Sequence, residues 1–196
     1  MIKMAQNNIL EEVFKSLDEY FASQNDDIIK GLTIAIELET KGRSFYLAKY
    51  HELKREVFNF LADDELQHLK ALENVKEIIE RRGQWVEVRE VQLRNLGRPK
   101  LFDRGQTETR ISDESSNRGI LLAALSVERK SEEFYNRMME KVEDDDAKKF
   151  FAALASLERR HFEIIRNQLP KEKEGGVISR FTEGRVHKHT RSRRFR

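Results

Sequence analysis

Apolar residues recur along this chain in steps of three and four, and they do so in four separate stretches. One reads Leu32, Ala35, Glu39, Gly42, Tyr46, and a second reads Phe58, Leu61, Glu65, His68, Leu72, Val75, Ile79. A third runs Leu121, Ala124, Glu128, Ser131, Tyr135, Met138, Val142, and a fourth runs Phe151, Leu154, Glu158, His161, Ile165, Gln168. This period is that of an amphipathic helix burying one stripe. The spacing predicts long helices over about Asp27–Tyr50, Glu52–Arg82, Ser115–Val142 and from the acidic turn Glu143–Asp146 to about Leu169. Gly83 serves as a C-cap for the second helix and Ser112-Asp113-Glu114 as a start for the third. A shorter amphipathic helix is expected over 9–22, with Ile9, Val13, Phe14, Leu17 and Phe21 on one side, and the polar stretch from Ser23 to Asp27 ends it.

Between Gly83 and about Ile111 the helical period fails. Gly97, Pro99 and Gly105 punctuate this stretch, and Trp85-Val86-Glu87-Val88 reads as extended. Antiparallel neighbours need only a few connecting residues. Some 30 residues suffice to traverse a bundle, so helix 3 can start at the far end and run parallel to helix 2. The expected fold is all-α: a four-helix bundle with one long crossover between helices 2 and 3, the ferritin-like topology. Three parts follow: an N-terminal helical appendage over 1–25, the bundle over 26–169 with its crossover at about 83–112, and a basic C-terminal tail over 170–196.

The polar residues inside the stripes carry the chemistry. The unit Glu…Tyr…Glu-x-x-His occurs twice, as Glu39, Tyr46, Glu65, His68 and as Glu128, Tyr135, Glu158, His161. Aligning Tyr46 on Tyr135 brings Glu39 onto Glu128, and aligning Glu65 on Glu158 brings Phe58 onto Phe151. The two halves are an internal repeat. Spacing alone is weak, because glutamate is abundant and usually solvated. Phase is stronger, because all six candidates occupy core positions with apolar residues on both sides along their helices. Four carboxylates buried together are untenable without cations, and two divalent ions would neutralise them. The six residues are therefore the expected ligands of a carboxylate-rich two-metal site in a helical bundle.

The same test sorts the neighbours. Glu37, Glu73 and Glu163 fall off the seams. Glu132, one turn after Glu128, is a further candidate ligand, with a solvated glutamate as the other reading. His51 lies near a helix end and suits a surface or capping role. Gly42 and Ser131 occupy matching small-residue positions that either leave room for a bound water or oxygen species or permit close helix packing. Tyr46 and Tyr135 are expected to orient ligands through their hydroxyls, which need partners when buried.

Composition narrows the classes. The 196 residues include no cysteine, which removes disulfides, cysteine-ligated zinc, iron–sulfur centres and thiol catalysis. No membrane span or signal peptide is expected, and a cytoplasmic location is the default. Charged residues make up 37% yet net charge is only +2, so long solvated helices are expected rather than a polyelectrolyte binder. The stretch 180–196 holds seven Lys or Arg, one Glu, and Phe181 and Phe195. It is a candidate for binding nucleic acid or an acidic partner, or for solubilising or docking to a second subunit.

These residues resemble the rubrerythrin branch of the ferritin-like superfamily. The resemblance rests on Glu39 with Phe45-Tyr46, on Asp64-Glu65-Leu66-Gln67-His68, on Glu128 with Phe134-Tyr135, and on Glu158-Arg159-Arg160-His161. It implies two iron ions, with manganese or zinc as other occupants. Glu39 and Glu128 would be ligands, Glu65 and Glu158 would bridge or chelate, and His68 and His161 would each cap one metal. The implied activity is reduction of hydrogen peroxide or reaction of ferrous iron with oxygen, in oxidative-stress defence. Ferroxidase or iron handling is the first alternative, and a metal-stabilised, non-enzymatic scaffold the second. Two departures matter. Rubrerythrin proper carries a cysteine-ligated rubredoxin domain, which this chain cannot, so an external electron-donor protein is expected. Rubrerythrin also has an extra glutamate one turn after its helix-3 ligand, where this chain has Ser131. A homo-oligomer, most simply a dimer, is expected.

Overall fold

The computed structural model describes residues 15–22, 27–85 and 115–169. All regular structure among them is helical. Four long helices dominate: α1 (Ile28–Leu53), α2 (Glu56–Arg82), α3 (Ser115–Lys141) and α4 (Asp145–Arg166). Residues 15–22 are also helical. The crossover after residue 85, the caps over 112–114, the first residues of the 9–22 helix and the basic tail lie outside the described residues.

Local chemistry sets the helix ends. Asp27 caps α1, its Oδ1 accepting from the backbone N–H of Ile29 at 3.0 Å and of Lys30 at 3.3 Å. Asp144 does the same for α4, accepting from Asp146 and Ala147 at 2.9 Å. Gly83 closes α2 in the left-handed conformation (φ 69°), its N–H reaching the Ile79 carbonyl at 2.8 Å. The junction of α1 and α2 differs from expectation. Helix α1 runs past Tyr50 to Leu53, and α2 begins at Glu56 rather than Glu52. Lys54 makes the break by adopting a left-handed φ of 54° and donating its N–H to the Tyr50 carbonyl at 2.8 Å. A lysine in this conformation carries no sequence signal, since glycine or asparagine is the usual occupant. Helix α4 also ends earlier than expected, at Arg166, with a turn over 167–169.

Helix directions follow from contacts across the bundle. Glu39 meets Tyr135 while Tyr46 meets Glu128, so α1 and α3 are antiparallel. Glu65 meets His161 while His68 meets Glu158, so α2 and α4 are antiparallel. Each hairpin partner is antiparallel too, which leaves α2 parallel to α3. The end of α2 and the start of α3 therefore lie at opposite ends of the bundle, the ferritin-like arrangement expected from the long connection.

The core falls into two apolar clusters with a polar layer between them. One contains Leu32, Leu72, Val75, Ile79, Tyr135, Met138, Phe150, Phe151 and Leu154. The other contains Tyr46, Val57, Phe58, Leu61, Ile120, Leu121, Ala124 and Ile165. The repeat is visible in the packing. Phe58 stacks on Tyr46 with ring centroids 6.3 Å apart, and Phe151 stacks on Tyr135 at the same 6.3 Å. Burying each such aromatic or aliphatic side chain contributes about 1.5–3 kcal/mol.

The short helix over 15–22 docks through Leu17 and Tyr20, both buried. Tyr20 was not on the expected face. Its hydroxyl donates to the Asp27 carbonyl at 3.2 Å, which satisfies the one polar atom that would have kept the ring in water. Phe21, which was expected inside, is half-buried against Phe134 and covered by the Arg137 guanidinium 3.6 Å from its ring centre.

Candidate metal centre

Each helix brings to mid-bundle the polar residues that its apolar phase predicted. Glu39, Glu65, His68, Glu128, Ser131, Glu158 and His161 are all at most 3% exposed. Of the other buried polar side chains, Lys49 lies away from this layer and pairs with Glu52 at 2.7 Å. Among the described residues, no lysine or arginine is buried in the layer to offset four carboxylates.

The geometry is crowded. Nδ1 of His68 lies 3.3 Å from a Glu39 oxygen, 3.3 Å from Glu65 and 3.0 Å from Glu158. Nδ1 of His161 lies 3.6 Å from Glu65 and 3.5 Å from Glu128. The two imidazoles stack at 5.2 Å and 16°. Ligand atoms of Glu65, His68, Glu158 and His161 all fall within 4.8 Å of one another. Glu39 and Glu128 join this group through those histidines and through the tyrosines. The Tyr135 hydroxyl donates to Glu39, and the Tyr46 hydroxyl donates to Glu128. Each half of the repeat thus supplies the phenol that holds the other half's glutamate.

Proximity here does not amount to hydrogen bonding. Glu65 Oε2, Glu128 Oε2, Glu158 Oε1 and His161 Nδ1 are buried without a hydrogen-bond partner. An orphaned buried acceptor costs about 1–3 kcal/mol, and more when charged. Four such atoms from three helices, converging on one space, are what a cation-binding donor set requires. Mixed carboxylate and imidazole ligands suit iron, manganese or zinc. The residues therefore fit a metal-binding role, and the chemistry of the set does not choose among these ions.

Without a cation the protein distributes protons instead. Burial, and then the neighbouring Glu65 charge, push the Glu39 carboxyl up to about 8. Burial, with the charges of Glu65, Glu39 and Glu128, also raises Glu158 well above the carboxylate range. Glu65 goes the other way: burial opposes its charge, but the close approach of Glu39, His161 and His68 outweighs that and holds it low. Burial also opposes charge on His68 and His161, yet Glu39, Glu158 and Glu65 raise His68, and Asp64, Glu128 and Glu65 raise His161, both well above 6.5. The buried phenols of Tyr46 and Tyr135 are raised by burial and adjacent glutamates, so they remain donors.

The remaining candidates lie outside the cluster. Glu132 is held at the surface by Arg159, Nε to Oε1 at 2.9 Å, so it stands away from the buried layer. Glu37, Glu73 and His51 are exposed, and Glu163 pairs with Arg166. Ser131 is buried where rubrerythrin proper has its extra glutamate, so no carboxylate occupies that place. Gly42 is not forced by helix packing. A methyl there would make an ordinary 3.7 Å contact with the Glu65 carboxyl, so its absence leaves room beside that ligand. Sequence reasoning missed Asp64, whose Oδ2 lies 3.3 Å from His161 Nε2. Its position immediately before Glu65 was the available signal.

A helical bundle that buries a Glu-x-x-His pair from each of two helices and a glutamate from each of the other two defines a ferritin-like carboxylate protein. The family model described as Rubrerythrin matches residues 30–169, most of the chain, and the protein belongs to that family. Neither the curated proteins nor the solved structures compared with it gave a match.

Proposed function

We propose that this protein is a di-iron carboxylate protein that reduces hydrogen peroxide, or oxygen, using electrons from a separate donor protein. The observation that carries the proposal is the set of four buried glutamates and two buried histidines with orphaned atoms facing one another and, among the described residues, no buried lysine or arginine in their layer. In this reading Glu39, Glu65, Glu128 and Glu158 would hold the two ions together with His68 and His161, one histidine to each ion. A pair of ferrous ions supplies two electrons, the number needed to take peroxide to water.

The chain's own residues do the rest. Tyr46 and Tyr135 hold Glu128 and Glu39 in place. The apolar clusters on either side exclude bulk water. Gly42 leaves an approach beside Glu65. The absence of cysteine means that this chain holds no thiolate-ligated iron of its own, which is why the donor is placed outside it.

The test is an anaerobic titration with two equivalents of Fe(II), followed by a peroxide pulse read by absorbance. Bound iron should oxidise at least about tenfold faster than free iron, and Glu158→Ala should abolish the difference, since removing an active-site ligand costs several kcal/mol of metal binding. Equal rates for bound and free iron would sink the redox proposal and leave the redox-silent scaffold reading.

A further inference from the structure

The repeat makes the site nearly symmetric, and one residue breaks the symmetry. The residue before Glu65 is Asp64, whereas the residue before Glu158 is Leu157. Asp64 on α2 reaches across to α4, with Oδ2 3.3 Å from His161 Nε2. The opposite ring nitrogen, Nδ1, faces Glu65 and Glu128 and is without a hydrogen bond. Leu157 holds the matching place on α4, packs against the apolar cluster and offers no acceptor.

We propose that Asp64 is a positioning residue that makes the two metal positions unequal, with the ion at His161 bound first and more tightly than the ion at His68. This rests on the reading that the buried residues hold metals, but not on redox activity. A carboxylate at Nε2 keeps the proton on that nitrogen, so the Nδ1 lone pair is presented to the metal and the ring cannot swing away. His68 receives no matching carboxylate from position 157, where the side chain is apolar, and its Nδ1 faces Glu39, Glu65 and Glu158. Acceptors of this kind change metal affinity by about 10–100-fold. The two ions should then load in two resolved steps.

The experiment is a Zn(II) isotherm on the full-length, metal-free protein, with a chelator competition for the tight step. The intact protein should show two classes of site separated by at least about tenfold. Asp64→Leu should weaken the tight step to the level of the loose one, and Asp64→Asn, which keeps an acceptor oxygen, should restore part of the difference. Leu157→Asp should strengthen the loose step. In the metal-free protein, at a pH high enough to deprotonate both imidazolium rings, ¹⁵N spectra should show His161 with its remaining proton on Nε2, and Asp64→Leu should abolish that preference without lowering helix content. Two identical sites in the intact protein, equal weakening of both steps, or an unchanged His161 tautomer in Asp64→Leu would each overturn the proposal. A protein that binds no Zn(II) at all overturns the underlying metal reading as well, whereas slow peroxide chemistry leaves this inference standing.

Discussion

Tyr46 and Tyr135 are the smallest units on which the site depends. Each phenol donates to a glutamate on another helix, and each ring is fully buried in stacking contact with a phenylalanine. Phenylalanine preserves the stacking and removes only the donor. Tyr135→Phe should therefore keep the fold but weaken metal binding by about tenfold, because Glu39 loses the group that orients it. Chelator competition measures this, and an unchanged affinity would show that the glutamate is held by its other neighbours. The burial of the six candidates was readable in the sequence because a helix converts position into facing: a polar residue in phase with leucines on both sides has nowhere else to point. Asp64 was not readable. It lies one step off the seam of α2, where a partly exposed aspartate is ordinary, and only the approach of α4 gives it a partner. Glu132 shows the converse, since its closeness to the seam is cancelled by Arg159 on the neighbouring helix.

At the level of the helix, two glycines with the same local chemistry should respond oppositely to the same change. Gly119 in α3 has open space around it, so Gly119→Ala should stabilise by about 1 kcal/mol through helix propensity alone. Gly31 in α1 is covered: a Cβ would fall 2.6 Å from the Met138 Cε and 2.8 Å from the Tyr20 hydroxyl. Overpacking costs about 1–3 kcal/mol, which offsets or exceeds the propensity gain. Gly31→Ala should lower the melting temperature and loosen residues 15–22, since the rigid Tyr20 ring must move and its bond to Asp27 must break. Thermal melts of both variants check the pair, and a stabilised Gly31→Ala would contradict the tight docking. The helices themselves were legible from period and caps. Their junction was not, because the break at Lys54 is imposed by the turn between two packed helices rather than by a breaker residue.

Across the whole molecule, proton and metal occupancy of the central layer are linked. The folded values of Glu39 and Glu158 lie above the ordinary 4.5, and those of His68 and His161 above 6.5. The native metal-free protein therefore binds more protons than the unfolded chain. Its stability is fullest below the unfolded values and falls as pH rises towards about 8, the folded value of Glu39. Glu65, held low, works in the opposite sense: its stabilisation is present above the ordinary carboxylate value and is lost only as pH falls into the acid range. Metal-free protein should melt at progressively lower temperature between about pH 5 and pH 8 while the loaded form holds steady, with protons released on loading. Melts at matched ionic strength and a pH-stat record of metal addition measure both, and a flat metal-free profile would refute the linkage. The exchange of partners between the repeats has a consequence for the chain's connectivity. Tyr46 serves Glu128, Tyr135 serves Glu39, and Asp64 serves His161, so neither hairpin owns a complete site. Were the two hairpins separate peptides, metal capture would be a meeting of two molecules and would fade on dilution. Joined in one polypeptide, it is governed by the local concentration that the tether imposes, and the ions act as rivets between halves that are already neighbours.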